Sequence, residues 1–236
     1  RNQRPHPRDP FGTARWGRSE SEMKPNPPSS AQVRALARRD PALGRAIKRL
    51  EPFPGFPIPG EYRSHYEALA RAIVYQQLAG AAASTIWNRV CALTPGKGLP
   101  RAPELLALKE KSLRGAGLSG NKYLSLRDLA TRVDEGNLPL ARMSRWQDER
   151  IIEALKEVRG IGPWTAQMFL LFRFGRLNVM APEDLGLQEG LRLLDGLAER
   201  PTSRELGLRA EAWEPLCSVA SWYLWRLVDE ARGTSS

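Results

Sequence analysis

Apolar residues recur along most of this chain at three- and four-residue intervals, the spacing that lays one stripe along a helix. Ala31–Arg38 and Pro41–Leu50 read as short amphipathic helices. The second has Asp40 as N-cap and a proline in its first turn, where the missing N–H would be unbonded anyway. From Tyr66 to Leu93 the stripe runs through Leu69, Ile73, Val74 and Leu78, breaks near Ala79-Gly80, and resumes through Ile86, Trp87 and Val90. Pro103–Ala107 starts a further helix, and Lys111–Ala116 makes another turn that Gly117 ends. Asn121–Glu135, Asp148–Val158, Pro163–Phe174, Asp184–Leu197 and Ala212–Ala231 complete the set. No alternating apolar–polar run reaches strand length. The pattern predicts an all-α fold of about nine or ten helices joined by short loops.

Two stretches break the periodicity. Residues 1–30 are rich in Pro and Arg and poor in aliphatics, which predicts a flexible basic arm, either a solvated tail or one that touches phosphates. The run Pro52-Phe53-Pro54-Gly55-Phe56-Pro57-Ile58-Pro59-Gly60 predicts an extended loop, because closely spaced prolines forbid helix. Charge then changes the picture. Thirty-six Lys and Arg against 26 Asp and Glu give a formal charge of +10 and a pI near 10.1, a balance that attracts polyanions whatever the fold. Cys91 and Cys217 are too few and too widely spaced for a zinc site or an iron–sulfur cluster, and predict reduced thiols packed as small hydrophobes. No apolar run approaches the roughly 20 residues that span a membrane, and Arg1 is not followed by an apolar signal core. The expectation is an intracellular protein, cytoplasmic and nucleoid-associated in a bacterium or nuclear in a eukaryote, with no membrane association.

The chemistry concentrates between Leu155 and Leu187. Two helical patterns are joined there by Val158-Arg159-Gly160-Ile161-Gly162-Pro163-Trp164-Thr165-Ala166. Glycines permit backbone angles and close approaches that side chains block, and Pro163 suits a helix start. The N–H groups of that first turn, at the positive end of the helix dipole, form a site for one phosphate, gripped without reading sequence. A plain packing corner between two helices explains the glycines equally well. Downstream, Asp184 follows Pro182 and precedes an apolar helical run, so its simplest role is an N-cap. A carboxylate some twenty residues beyond a phosphate grip is also placed to face a bound nucleic acid, where a purely structural protein would avoid negative charge.

These residues resemble the helix-hairpin-helix DNA glycosylase superfamily, in particular the DNA-3-methyladenine glycosylase II family of bacteria and yeast. Its Gly-Ile-Gly-x-Trp-Thr-Ala pattern is matched by Gly160 to Ala166, and its Pro-x-x-Asp-Leu-Gly, one residue shorter, by Pro182 to Gly186. Ala68 to Ala83, with Gln76-Gln77-Leu78, is similar to the family's Gln-Gln-Leu-Ser segment, and Trp213-Glu214-Pro215 through Arg226 resembles its C-terminal helix. The resemblance implies a helix-hairpin-helix glycosylase fold over residues 31–236, with the hairpin at about 155–175 and no N-terminal β domain. Two helical subdomains would flank an active-site cleft, the N- and C-terminal helices forming the second. It implies Asp184 as the catalytic carboxylate and Trp164, Met168 and Leu216 as the base pocket. Gly160, Gly162 and Thr165 would bind the DNA backbone. Gln77 or Leu78 would be the wedge filling the gap left by a base rotated out of the duplex. Alone, Gln77 reads as a polar helix-end residue and Leu78 as an ordinary core leucine. No cofactor is required; a structural sodium or potassium ion at the backbone carbonyls of Lys156, Val158 and Ile161 is implied, and no iron–sulfur cluster.

Superfamily members that also cut the strand form a Schiff base through a lysine where this chain has Trp164. An indole cannot do that chemistry, so the resemblance implies a monofunctional enzyme that removes a base and leaves an abasic site. Its expected substrates are 3-methyladenine and 7-methylguanine in double-stranded DNA, in base excision repair, and it is expected to act as a monomer. For such cationic bases no general acid is needed, and Asp184 would stabilise an oxocarbenium-like sugar while orienting water; Glu183 would point elsewhere. Relatives often carry an aromatic and an Arg where this chain has Leu216 and Cys217, and some an aromatic at Met168, which opens the range of lesions. Two alternatives stay open: a glycosylase for other damaged bases, and a non-catalytic helix-hairpin-helix module that grips DNA. A third, partner binding through Trp213, Trp222, Tyr223 and Trp225, competes with the ordinary reading of spaced aromatics as core.

Overall fold

The computed structural model describes residues 27–56, 64–78, 80–96 and 98–233. Most of the expected N-terminal arm and the end of the Pro-rich stretch lie outside the described residues. Every regular element among those described is helical: α1 (Ser30–Arg39), α2 (Pro41–Arg49), α3 (His65–Tyr75), α4 (Gly80–Cys91), α5 (Ala102–Ala107), α6 (Glu110–Gly115), α7 (Gly120–Asp134), α8 (Leu140–Met143), α9 (Asp148–Lys156), α10 (Pro163–Phe174), α11 (Leu185–Asp195), α12 (Ser203–Ala210), a 3-10 turn over Glu211–Trp213, and α13 (Cys217–Ala231).

The expectation of nine or ten helices was too low. Helix α8 is a single turn, too short to show a period. Helix α12 carries only Leu206 and Ala210 as buried residues, so its stripe is thin, and its start rests instead on a capping box between Thr202 and Glu205. The continuous helix expected over Ala212–Ala231 is broken, with Pro215 between the 3-10 turn and α13. Proline has no N–H to donate and collides with the preceding turn, so aromatic spacing across it did not mean one helix. Elsewhere local chemistry sets the ends. Asp40 accepts the Leu43 N–H at 3.0 Å ahead of Pro41, and Ser64, Ser119 and Ser29 cap α3, α7 and α1.

The chain divides into two compact units, the described residues within 60–169 and those within 23–59 and 170–236. In the first, α3 is the central helix, with Leu69, Ile73 and Val74 fully buried, and it packs on α4, α7 and α8. Leu126 and Leu129 of α7 and Ile151 and Leu155 of α9 extend that core. In the second, α11 crosses α13 closely enough that a Cβ on Gly190 would sit 2.5 Å from the Leu224 carbonyl oxygen. Its other anchor is polar: Asp40 accepts from the Trp213 indole N–H at 2.6 Å and pairs with Arg209 at 2.6 Å, which also reaches Asp195 at 2.9 Å. The C-terminal aromatics belong mainly to the core, with Trp213, Tyr223 and Trp225 buried and Trp222 half-buried.

Candidate functional site

Helices α9 and α10 are joined by residues 157–162, and each feature of that hairpin has an identifiable cause. Val158 N–H returns to the Leu155 carbonyl at 3.0 Å and Ile161 N–H to the Val158 carbonyl at 3.0 Å, which closes the turn. Val158 and Ile161 are buried and anchor it from below. Gly160 adopts φ +79°, and a Cβ there would lie 2.5 Å from Ser125 Oγ of α7, so conformation and space both demand glycine. Gly162 differs: nothing lies within 4 Å of the Cβ it lacks, and the residue is exposed. Its missing side chain keeps the outer face of the backbone open rather than serving internal packing. Helix α10 then starts at Pro163, and the Ala166 N–H donates to the Gly162 carbonyl at 3.1 Å.

Thr165 is buried at 4% exposure, its hydroxyl accepting from Gln76 Nε2 at 3.4 Å. Any contact it makes with a backbone phosphate is therefore through its main chain. The same Gln76 amide donates to the Gly160 carbonyl at 2.9 Å, and the Arg159 N–H donates to Asp128 Oδ2 of α7 at 2.7 Å. Carbonyl oxygens of Lys156, Val158 and Ile161 all belong to this turn; that of Lys156 ends α9 and has no donor four residues on within the helix. Among the described residues no group of three or more His, Cys, Asp or Glu side chains is placed to hold a metal ion.

At the end of α3 the chain turns sharply through Gln76, Gln77 and Leu78. Gln77 has φ +56°, the one left-handed non-glycine residue among those described. Both Gln77 and Leu78 are exposed, Leu78 at 39%. The sequence allowed Leu78 to be an ordinary core leucine; the turn carries it out of the core, because α3 ends at Tyr75 before the stripe can continue. The Lys122 ammonium of α7 donates to the carbonyls of Val74 at 2.6 Å and Gln76 at 2.8 Å. Burial pulls that ammonium below the usual lysine range.

In the second unit Asp184 caps α11, as its position before an apolar run predicts. Its Oδ1 accepts from the Gly186 N–H at 2.9 Å, the Leu187 N–H at 2.8 Å and the Trp225 indole N–H at 3.1 Å, and the residue is only 6% exposed. Donors converging on one oxygen hold the carboxyl in one orientation. Glu183, its neighbour, is exposed. Trp225 is the residue that sequence reasoning missed: helical spacing marked it as core, and nothing local signalled that its N–H meets a carboxylate 41 positions away. Of the expected pocket residues, Trp164 is half-buried and Met168 buried, one turn apart on α10. Leu216 is buried in the second unit, where it shares a small cavity with Gln32, Leu36 and Trp213. Cys217 beside it is no nucleophile: burial, reinforced by Glu214, pushes its thiol up to about 12.

Residues 70–215, well over half the chain, match the HhH-GPD superfamily of base excision DNA repair proteins. Over 167 residues the chain is 34% identical to DNA-3-methyladenine glycosylase 1 of Schizosaccharomyces pombe, covering 70% of this chain and 73% of that protein. A solved structure of the Schizosaccharomyces pombe 3-methyladenine DNA glycosylase in complex with abasic DNA superposes with a TM-score of 0.74 at 30% identity, covering 84% of this chain and 96% of the other. The DNA-3-methyladenine glycosidase of Bacillus halodurans superposes with a TM-score of 0.75 at 32% identity, covering 89% and 95%.

Proposed function

Because this chain belongs to the HhH-GPD superfamily of base excision DNA repair proteins, we propose that it is a DNA glycosylase that hydrolyses the N-glycosidic bond of alkylated purines, 3-methyladenine and 7-methylguanine among them. The observation that carries the reading is Asp184, a buried carboxylate oriented by two backbone N–H groups and the Trp225 indole. A structural N-cap is satisfied by the backbone donors alone; the indole adds an orientation that capping does not need.

A purine nucleotide methylated at ring N3 or N7 is a cation, so the base leaves without a general acid. As the bond lengthens, positive charge builds on the sugar. A fixed carboxylate stabilises that charge and orients the water that adds to C1′. The backbone N–H groups at the start of α10 and the open face of Gly162 hold a phosphate, with sequence left unread. The base must leave the stack to be reached, and Gln77 and Leu78, both exposed, fill the space behind it. The indole face of Trp164 attracts a cationic purine by up to about 2 kcal/mol when water is excluded. The Lys156, Val158 and Ile161 carbonyls are neutral oxygen donors suited to sodium or potassium, which would add positive charge beside the phosphate.

Trp164 has no amine to form a Schiff base, so the enzyme stops at the abasic site and leaves the strand intact. The buried thioether of Met168, one turn from Trp164, favours a pocket that relies less on ring stacking, and supports a second reading, activity on other damaged bases. Incubating the protein with methylated duplex DNA tests the proposal. Free methylpurine should appear by chromatography, strand breaks should appear only after hot alkali, and borohydride should trap no covalent adduct. Release of neither methylated purine overturns the substrate; breaks without alkali overturn the monofunctional reading.

A further inference from the structure

The wedge turn and the phosphate-gripping hairpin are tied together by side chains that neither role requires. Helix α7 presents Lys122, Ser125 and Asp128 at three-residue steps, which places them on one face. Lys122 holds the carbonyls of Val74 and Gln76 at the end of α3. Ser125 sits under Gly160, and Asp128 accepts the Arg159 N–H. Gln76 closes the circuit, its amide donating to the Gly160 carbonyl and the Thr165 hydroxyl. The turn it anchors holds Gln77 in the left-handed region, a conformation that costs energy and persists only where surroundings impose it.

Building on the glycosylase reading, we infer that Lys122 and Gln76 are positioning residues that hold the Gln77-Leu78 wedge at a set distance from the phosphate grip before DNA arrives. Neither touches the reacting atoms. Their contribution is to base extrusion: a wedge already in place spares the complex the cost of ordering that turn while the duplex is being opened. A lysine suits the first position because one ammonium satisfies two carbonyls that the end of α3 leaves without helical donors.

The test compares Lys122→Met and Gln76→Met with the parent protein on 7-methylguanine paired with cytosine and on the same lesion opposed by thymine. The mismatched base is easier to extrude, so a positioning defect falls hardest on the paired lesion. The expected result is a loss of at least about tenfold on the paired lesion, with the mismatched one affected several-fold less, since a mismatched base costs less to extrude. Lys122→Arg should recover part of the loss. In parallel, 2-aminopurine beside the lesion should brighten when the parent protein binds and brighten less with either Met variant. Equal losses on both substrates, or no loss together with unchanged 2-aminopurine brightening, overturn the inference. If the parent protein releases no base at all, the glycosylase reading fails, and the 2-aminopurine signal still decides whether these side chains preset a wedge. Two variants on different elements keep the test standing if one of them does not fold.

Discussion

At the scale of single residues, the two hairpin glycines make opposite demands. Gly160 combines φ +79° with a Cβ position 2.5 Å from Ser125 Oγ, so Gly160→Ala should lower stability by about 1–3 kcal/mol, read as a drop in thermal midpoint. Gly162 has open space around it, so Gly162→Ala should stay within about 0.5 kcal/mol of the parent. The same variant should weaken binding to undamaged duplex, because the new methyl group stands on the face to which the phosphate contact is assigned. A Gly162→Ala protein that binds DNA like the parent would remove the hairpin from the interface. Asp184→Asn separates capping from chemistry in the same manner. Asparagine caps as well as aspartate, so the fold should hold, while excision should fall by at least about a hundredfold, the usual size of such an electrostatic loss. Full excision by the Asn variant would end Asp184's assignment.

At the scale of elements, the second unit depends on one close crossing and one buried polar anchor. Gly190→Ala would drive a methyl into the Leu224 backbone at 2.5 Å, and a main-chain atom cannot swing aside. A loss of about 1–3 kcal/mol or more is expected, visible in denaturant midpoints. The anchor is sensitive to acid. Burial by itself would raise the Asp40 carboxyl, but hydrogen bonds from the Trp213 indole, the Leu43 N–H and Arg209 outweigh it and hold the group below its ordinary value. A carboxyl lowered in the folded state adds stability that is complete above its unfolded value, about 3.9, and is lost as pH falls through the lower folded one. Asp40→Asn should therefore cost stability at neutral pH, and its difference from the parent should shrink below about pH 4. A difference that stays constant into strong acid would mean the charge contributes nothing.

At the scale of the whole molecule, a formal charge of +10 governs encounter with DNA. Affinity for undamaged duplex should fall by about tenfold or more between roughly 50 and 200 mM salt, the loss that about two neutralised phosphates already produce. A salt-independent affinity would leave the basic balance without a role in binding. Helical class, the hairpin and the Asp184 cap were legible from local pattern, because period, glycine and cap are properties of neighbouring residues. Helix α8 and the break at Pro215 were harder to read, one being a single turn and the other hidden by aromatics that continue the spacing across it.

The sequence by itself therefore determined the family, the hairpin turn to which the phosphate grip is assigned and the carboxylate to which the chemistry is assigned, since each is written in a few adjacent residues. Tertiary structure alone decided what holds them. Trp225 meets Asp184 from 41 positions away, Gln76 reaches Gly160 from 84, and Lys122 reaches Gln76 from 46. A hydrogen bond between distant side chains leaves no period in the sequence, because it depends on how helices pack rather than on how each one forms.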